Sequence, residues 1–556
     1  MSGTSVRPAA GSARSAAARA GRLRLPLARL TPVAAVILAA TLLALGLRGF
    51  QIFRSGHLLG VGDYDDGADF GSALRLIHGV LPYRDFIIVQ PPGSTLLMTP
   101  AAAVASFAGT AWAIAAGRIL TALASAAAVV LGGLLVRHRG VFATIVTCGL
   151  IAIYPGSVQA AHTVLLEPWL TVFCLAGAVA VFDRDRLAAS GRRLAWGGAA
   201  LGFAGAVKVW AIIPVAVIVV VCLAGPGRAG RLARFLGGVA AGFLIPVIPF
   251  AALAPGRFYD SVVVAQLVRT GARTSLAFRL QYLTGLAAWD LGTAVLLVVA
   301  IALVVIVAGT ITAAWLVTRQ RPPALEWFSV ATAALVVAAF LIPDDFYYHY
   351  PAFLAPFLAM AFALPAGRLL DGWRARAARR AGPVAGEGRA AGAELAAGAR
   401  PGGWLPRAAA ALAALAVLVL PFAAGGAESS PTPTYASALP ALERVIPPGS
   451  CVATDEASLL ISADRFYSSV PGCPVLVDGT GTSYALGHGQ TALTAGRVPA
   501  VATVWRQAFA AAHYVLLTSY NQARIAWTPQ LRAYFRANFT RVSGNWSPLT
   551  LYVRKG

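Results

Sequence analysis

Long, nearly uncharged apolar runs, separated by short arginine-rich segments, decide what this chain can fold into. One aqueous core cannot hide them all. Only 12% of the 556 residues are charged and 58% are hydrophobic, whereas a soluble domain carries about 25% charge. The chain therefore reads as a polytopic α-helical membrane protein, which excludes a cytosolic enzyme, a secreted disulfide scaffold and an intrinsically disordered chain. A net charge of +23 would suit nucleic acid if it lay on a soluble domain. Instead the arginines border the apolar runs, as Arg14, Arg19, Arg22, Arg24 and Arg29 do, then Arg137 and Arg139, then Arg374, Arg376, Arg379 and Arg380. That placement follows the positive-inside rule, so the charge reports orientation and contact with anionic membrane lipid, and no nucleic-acid partner is expected.

The basic tail 1–29 is expected in the cytosol, with 30–47 as an uncleaved first span. A signal peptide is disfavoured because the run is long and lacks a small-residue cleavage site. Residues 48–117 then form the first outer loop. Counting 94–116 as a span would put Arg137 and Arg139 outside, so this segment is expected to lie in the outer interface, and 118–136 to cross. Spans then alternate through 141–154, 164–182, 194–207, 209–224, 235–253, 291–317, 325–342 and 352–364. An Arg/Ala/Gly-rich cytosolic linker, 367–407, leads to a last span within 408–425. The total is about eleven, several of them shorter than the roughly twenty residues a bilayer asks for.

From residue 426 the composition changes. Strand-like runs at 451–453, 474–477, 514–517 and 549–553 alternate with helical patterns at 500–512 and 529–538, which predicts a small extracytoplasmic α/β domain. Cys451 and Cys473, its two cysteines, are expected to form a disulfide in an oxidising compartment, stabilising the domain by roughly 3 kcal/mol. Cys148, Cys174 and Cys222 lie in spans without ligand spacing and read as packing residues.

With this topology, the rare ionisable residues fall on one face. Asp63, Asp65, Asp66, Asp69 and Asp85 occupy the first outer loop, and Glu167 begins a span at its outer end. Lys208, one of two lysines, sits where two spans meet, and Asp344, Asp345 and His349 lie between two more. Ionisable groups at membrane depth are costly and mark function by default.

The first loop reads Asp63-Tyr-Asp-Asp-Gly-Ala-Asp-Phe70, then Gly79-Val-Leu-Pro-Tyr83-Arg84-Asp85-Phe86, then Gln90-Pro-Pro-Gly93. Here the sequence resembles the GT-C superfamily of polyprenyl-phosphate-sugar glycosyltransferases, nearest to the protein O-mannosyltransferase and lipid A aminoarabinose transferase branch. The resemblance extends to His162-Thr-Val-Leu-Leu-Glu-Pro168, Gly205-Ala-Val-Lys208 and Tyr347-Tyr-His-Tyr350. It implies a GT-C-like catalytic module over 30–366 and a sugar moved, with inversion, from a polyprenyl-phosphate donor to a glycan, glycolipid or protein hydroxyl outside.

Such a transfer needs a carboxylate to take the acceptor's proton and cations around the departing phosphate. Asp65 or Asp66 can be that base, and the resemblance favours Asp65. Lys208, Arg84, Arg269, Arg273 and Arg279 can contact phosphate, with Tyr83, Asp85, Glu167 and His349 as further binding residues. The bland alternatives stay open. Asp63 and Asp69 could be a solvated face, Asp85 could brace Arg84, Glu167 could cap a helix, Lys208 could snorkel, and His349 could be an interfacial hydrogen-bonding residue. No cofactor is required. The acidic loop could hold a divalent cation through oxygen ligands, although no cluster has zinc spacing. The sequons at Asn538 and Asn545 carry little weight in a chain whose Ala/Arg bias suggests a GC-rich bacterium, so a bacterial plasma membrane is the expected location. The rival functions are a transporter or flippase of lipid-linked sugars, which should show repeat symmetry and midplane charge, and a non-catalytic membrane scaffold. Mannose, arabinose, galactose or another polyprenyl-linked sugar would suit the same loop.

Overall fold

The computed structural model describes residues 3, 31–224, 227–267, 273–380, 435–474, 476–487, 498–519, 524–544 and 546–556. The basic tail, the linker, the last expected span and Arg269 lie outside them. Helix α1 (Pro32–Phe53) starts where Thr31 caps Ala34 and proline takes the first position. Then come α2 (Tyr64–Leu76), α3 (Gly93–Ala102), α4 (Ala105–Ala108), α5 (Thr110–Val136), α6 (Gly140–Ile153), α7 (Pro155–Gln159) and α8 (Leu166–Val181). A two-residue hairpin, β1 (Phe182–Asp183) with β2 (Arg186–Leu187), leads to α9 (Gly191–Val207), α10 (Ile212–Leu223) and α11 (Arg228–Leu253). After α12 (Pro255–Tyr259), α13 (Ala265–Leu267) and α14 (Leu276–Thr284) come the long helices α15 (Thr293–Thr318), α16 (Ala324–Leu341) and α17 (Pro351–Arg380).

Among the described residues, six helices are long and apolar enough to cross a membrane, fewer than the eleven expected. The physical reason is length. Helices α6, α8, α9 and α10 stand where spans were expected but run 14, 16, 17 and 12 residues, against about twenty for a full crossing.

The bundle has two chemically distinct ends. Helix α5 runs 27 residues, or about 40 Å at 1.5 Å per residue, and the chain then reverses at Arg137–Gly140, where Gly140 adopts φ +83°. Around that turn His138 and Arg139 meet Asp185 at 2.8 and 2.7 Å, and Arg368 grips Glu326 at 2.9 Å. The arginine-marked turns are thus gathered at one end. Packing between α9 and α11 depends on small residues: a Cβ on Gly202 would lie 2.1 Å from the Val239 carbonyl, and one on Gly242 2.0 Å from that of Ala199. Such close backbone approach is how helices associate where burial from water drives little.

The expected interfacial segment needs a corrected boundary. Its helices end at Gly109, with φ +88°, and α5 begins at Thr110 rather than near Arg118. Asp464, 353 residues beyond Ala111, supplies the cap by accepting from Ala111 N–H (3.0 Å) and the Thr110 hydroxyl (2.9 Å). No local signal announces it. Ser106 is exposed while Thr110 is buried. In intact cells an impermeant maleimide should therefore label Ser106→Cys and spare Thr110→Cys. Labelling of Ser106→Cys only after lysis would place this segment on the other side.

The C-terminal chain builds a four-stranded sheet from β3 (Val452–Thr454), β4 (Tyr514–Thr518), β5 (Phe539–Arg541) and β6 (Leu549–Arg554), in the order β3-β4-β6-β5. Only β3 and β4 pair in parallel. The run 474–477 forms no strand in its described residues, and Phe539–Arg541 does. Cys451 and Cys473 are bonded, while Cys148, Cys174 and Cys222 are free and buried. The sheet unit shares one apolar core with the first loop, since Phe70, Leu74 and Tyr83 pack among Leu459, Ile461, Phe466 and Leu551. The helix Ala457–Ser462 lies so close to α2 that a Cβ on Gly67 would meet the Ser458 nitrogen at 2.3 Å.

Candidate active site

At the end of the bundle opposite the arginine turns, four separated segments converge. Asp63 caps α2 by accepting from Asp65 N–H at 2.9 Å, which sets two acidic residues in the helix's first turn, where the helix dipole favours them. Glu167 opens α8, Lys208 breaks the chain between α9 and α10, and His349 precedes α17. The Glu167 carboxylate is buried and takes Lys208 Nζ at 2.5 Å on one oxygen. His349 Nδ1 lies 2.9 Å from the other, off line for a hydrogen bond. Burial works against a charge on His349, but Glu167 outweighs it and raises the imidazole above its ordinary value. Lys208 also sits over the Trp210 and Tyr350 rings, at 3.9 and 4.6 Å from their centroids. Such an arrangement fixes the ammonium far more tightly than snorkelling would.

The acidic pair is split. Asp65 keeps 45% of its side chain exposed, 3.7 Å from His349 Nε2. Asp66 is sealed: one oxygen accepts from Ser458 Oγ at 2.5 Å, and the other from Thr163 and from Arg118 Nη2 at 3.0 Å. Arg118 in turn donates to the carbonyls of His57 and Leu58. With both oxygens occupied and neither solvent nor substrate in reach, Asp66 anchors α2 to α5 and to the C-terminal unit. It is a poor candidate base.

Asp69, one helical turn after Asp65, is buried rather than a solvated face residue. Burial, then the charge of Asp65, pushes its carboxyl well above the usual range. Asp63 is half-buried against Tyr348, whose hydroxyl donates to it at 2.7 Å.

The other sequence candidates do not join this cluster. Arg84 and Asp85 pair with each other at the surface, 2.7 Å apart, and Asp85 also accepts from Leu81 N–H. Tyr83 is fully buried, takes φ +66° and donates to the Gln90 carbonyl at 2.5 Å, a bracing role. Arg279 spends its guanidinium on the carbonyls of Phe340, Pro343 and Asp344, so it holds the 340–344 loop instead of facing a phosphate. Arg273 is exposed.

Three neighbours escaped the sequence reading because they arrive from the C-terminal unit. Asp478 accepts from the Tyr64 hydroxyl at 3.1 Å, Tyr484 donates to Asp345 at 3.2 Å, and Arg524 stacks on the Tyr64 ring at 3.4 Å.

Beside the cluster, an apolar groove of about 520 Å³ runs between α3, α9 and α11, lined by Leu96, Phe203, Ile245, Pro249 and Phe250 among others. Gly93 lets α3 approach the end of α9, since a Cβ there would stand 2.5 Å from the Ala206 carbonyl. The groove wall therefore abuts the turn that carries Lys208. Chemically the site offers a half-exposed carboxylate, a lysine and an imidazole beside a shared buried carboxylate, and apolar surface alongside.

No family model matches the sequence, and no curated protein is similar to it. Solved structures do match the fold. ArnT from Cupriavidus metallidurans bound to undecaprenyl phosphate superposes with a TM-score of 0.56 at 15% identity, covering 93% of this chain and 97% of that one. Its apo form gives 0.54 at 14% identity, covering 94% and 98%. The oligosaccharyltransferase of Archaeoglobus fulgidus, tethered to an acceptor peptide, gives 0.50 at 15% identity, covering 94% and 74%.

Proposed function

The chain has the GT-C glycosyltransferase fold, and on that premise we propose that it is an integral-membrane glycosyltransferase moving a sugar from a polyprenyl-phosphate donor to an extracytoplasmic acceptor with inversion. The observation that carries the reading is the pairing of an accessible Asp65 with the Lys208–Glu167–His349 cluster 3.7 Å away. Asp65 takes the acceptor hydroxyl's proton as its oxygen attacks the anomeric carbon. Lys208 and His349 face the phosphate as it leaves, and Glu167 sets both in place. The apolar groove beside α3 suits the first isoprene units of a lipid tail. ArnT, a protein of the same fold, was solved with undecaprenyl phosphate, which supports a lipid-phosphate donor here. The reaction as written asks for no cofactor. The active-site end faces outward, and the bacterial plasma membrane is the setting the sequence suggests.

The test is a panel of polyprenyl-phosphate mannose, arabinose and galactose given to purified protein in bilayers with extracted envelope acceptors. Release of polyprenyl phosphate, together with an inverted anomer in the product by NMR, is expected for one donor. Turnover of none of them, or retention of configuration, would overturn the reading.

A further inference from the structure

Arg524 is the one cation that the C-terminal unit brings to the loop carrying the acidic pair, among the described residues named above. Its guanidinium carbon sits over the Tyr64 ring, 3.4 Å from the centroid, and Tyr64 is itself pinned, donating to Asp478 at 3.1 Å and accepting from Thr480 N–H at 2.9 Å. The guanidinium is therefore held against Tyr64, the residue that precedes Asp65 in the chain. Its Nη1 is nevertheless buried with no hydrogen-bond partner among the described residues. Burial opposes the charge, but Tyr64, Asp65, Tyr347 and Glu456 outweigh it and hold Arg524 protonated. A buried, charged N–H left unsatisfied is expensive, and native structures rarely keep one without a partner. A planar, pre-oriented guanidinium matches a tetrahedral oxyanion better than any neutral ligand.

We propose that Arg524 is an oxyanion-binding residue of the same site, taking a phosphate group through Nη1, so that the C-terminal unit completes the substrate pocket. The inference rests on the glycosyl-transfer reading. The phosphate is either the headgroup of the polyprenyl donor or a free phosphate-type anion bound beside it.

Two probes separate these sources: polyprenyl phosphate in detergent micelles, and inorganic phosphate, each titrated into the full-length protein while melting and binding are followed. Arg524→Gln should melt near wild type without ligand, because it strands no buried counter-charge bonded to Arg524. Its dissociation constant for polyprenyl phosphate should rise roughly ten- to hundredfold, the loss expected for one charge-assisted hydrogen bond. Arg524→Lys, which keeps the charge without the fork, should fall between. If only stabilisation by inorganic phosphate disappears, the residue still binds an oxyanion and the source is the free anion. Unchanged response to both probes in Arg524→Gln overturns the proposal. If that variant does not fold, wild-type affinity for both probes in Arg524→Lys overturns it. Failure of the wild type to bind polyprenyl phosphate is a different result, because it removes the donor reading itself.

Discussion

Asp65→Asn is expected to lower transfer by about 10²–10⁴-fold, the contribution of a positioned base in the transition state, while donor affinity and melting temperature stay near wild type. The side chain is 45% exposed and, among the described residues, holds no buried partner closer than His349 at 3.7 Å, so removing its charge strands little. Asp66→Asn should behave in the opposite way. It takes the counter-charge from Arg118, in a pair where both side chains are 0% exposed. Breaking such a pair costs about 3–5 kcal/mol. Thermal unfolding of the two variants, set beside single-turnover transfer rates, distinguishes base from anchor. Near-wild-type turnover in Asp65→Asn would exclude it as the base.

Lys208 demands a paired experiment, because it both faces the proposed phosphate and neutralises Glu167. Lys208→Ala alone leaves the buried Glu167 carboxylate without its lysine, and a loss of about 3–5 kcal/mol in stability is expected. A fall in donor binding would then be ambiguous. In Lys208→Met/Glu167→Gln both charges go together, and replacing a buried pair by residues of similar volume is often close to neutral. The double variant should regain most of the melting temperature yet bind polyprenyl phosphate roughly ten- to hundredfold more weakly, the worth of one charge-assisted contact. Recovery of both stability and donor affinity would reduce Lys208 to a brace for Glu167.

The sequence alone determined that the chain is a polytopic helical protein and that its rare ionisable residues gather at one end of the bundle. Apolar runs leave a chain no aqueous solution to its burial problem, and arginine placement orders the turns, so α9, α15 and α16 are legible nearly to their ends, whereas α5 and α11 begin earlier and α17 ends later than the apolar runs indicate. The gathering of Asp65, Glu167, Lys208 and His349 followed from counting crossings, because each crossing flips the end of the bundle at which the next polar residue falls. Tertiary structure decided which of two adjacent aspartates stays accessible. Asp65 and Asp66 differ by about 100° around one helix, and only the arrival of Thr163, Arg118 and Ser458 buries the second. It also decided that Asp69 is buried, that Arg279 is consumed by carbonyls, and that Asp464 starts α5. Each of these rests on contacts between segments tens to hundreds of residues apart. Local periodicity records which face a residue occupies, but not what eventually covers that face.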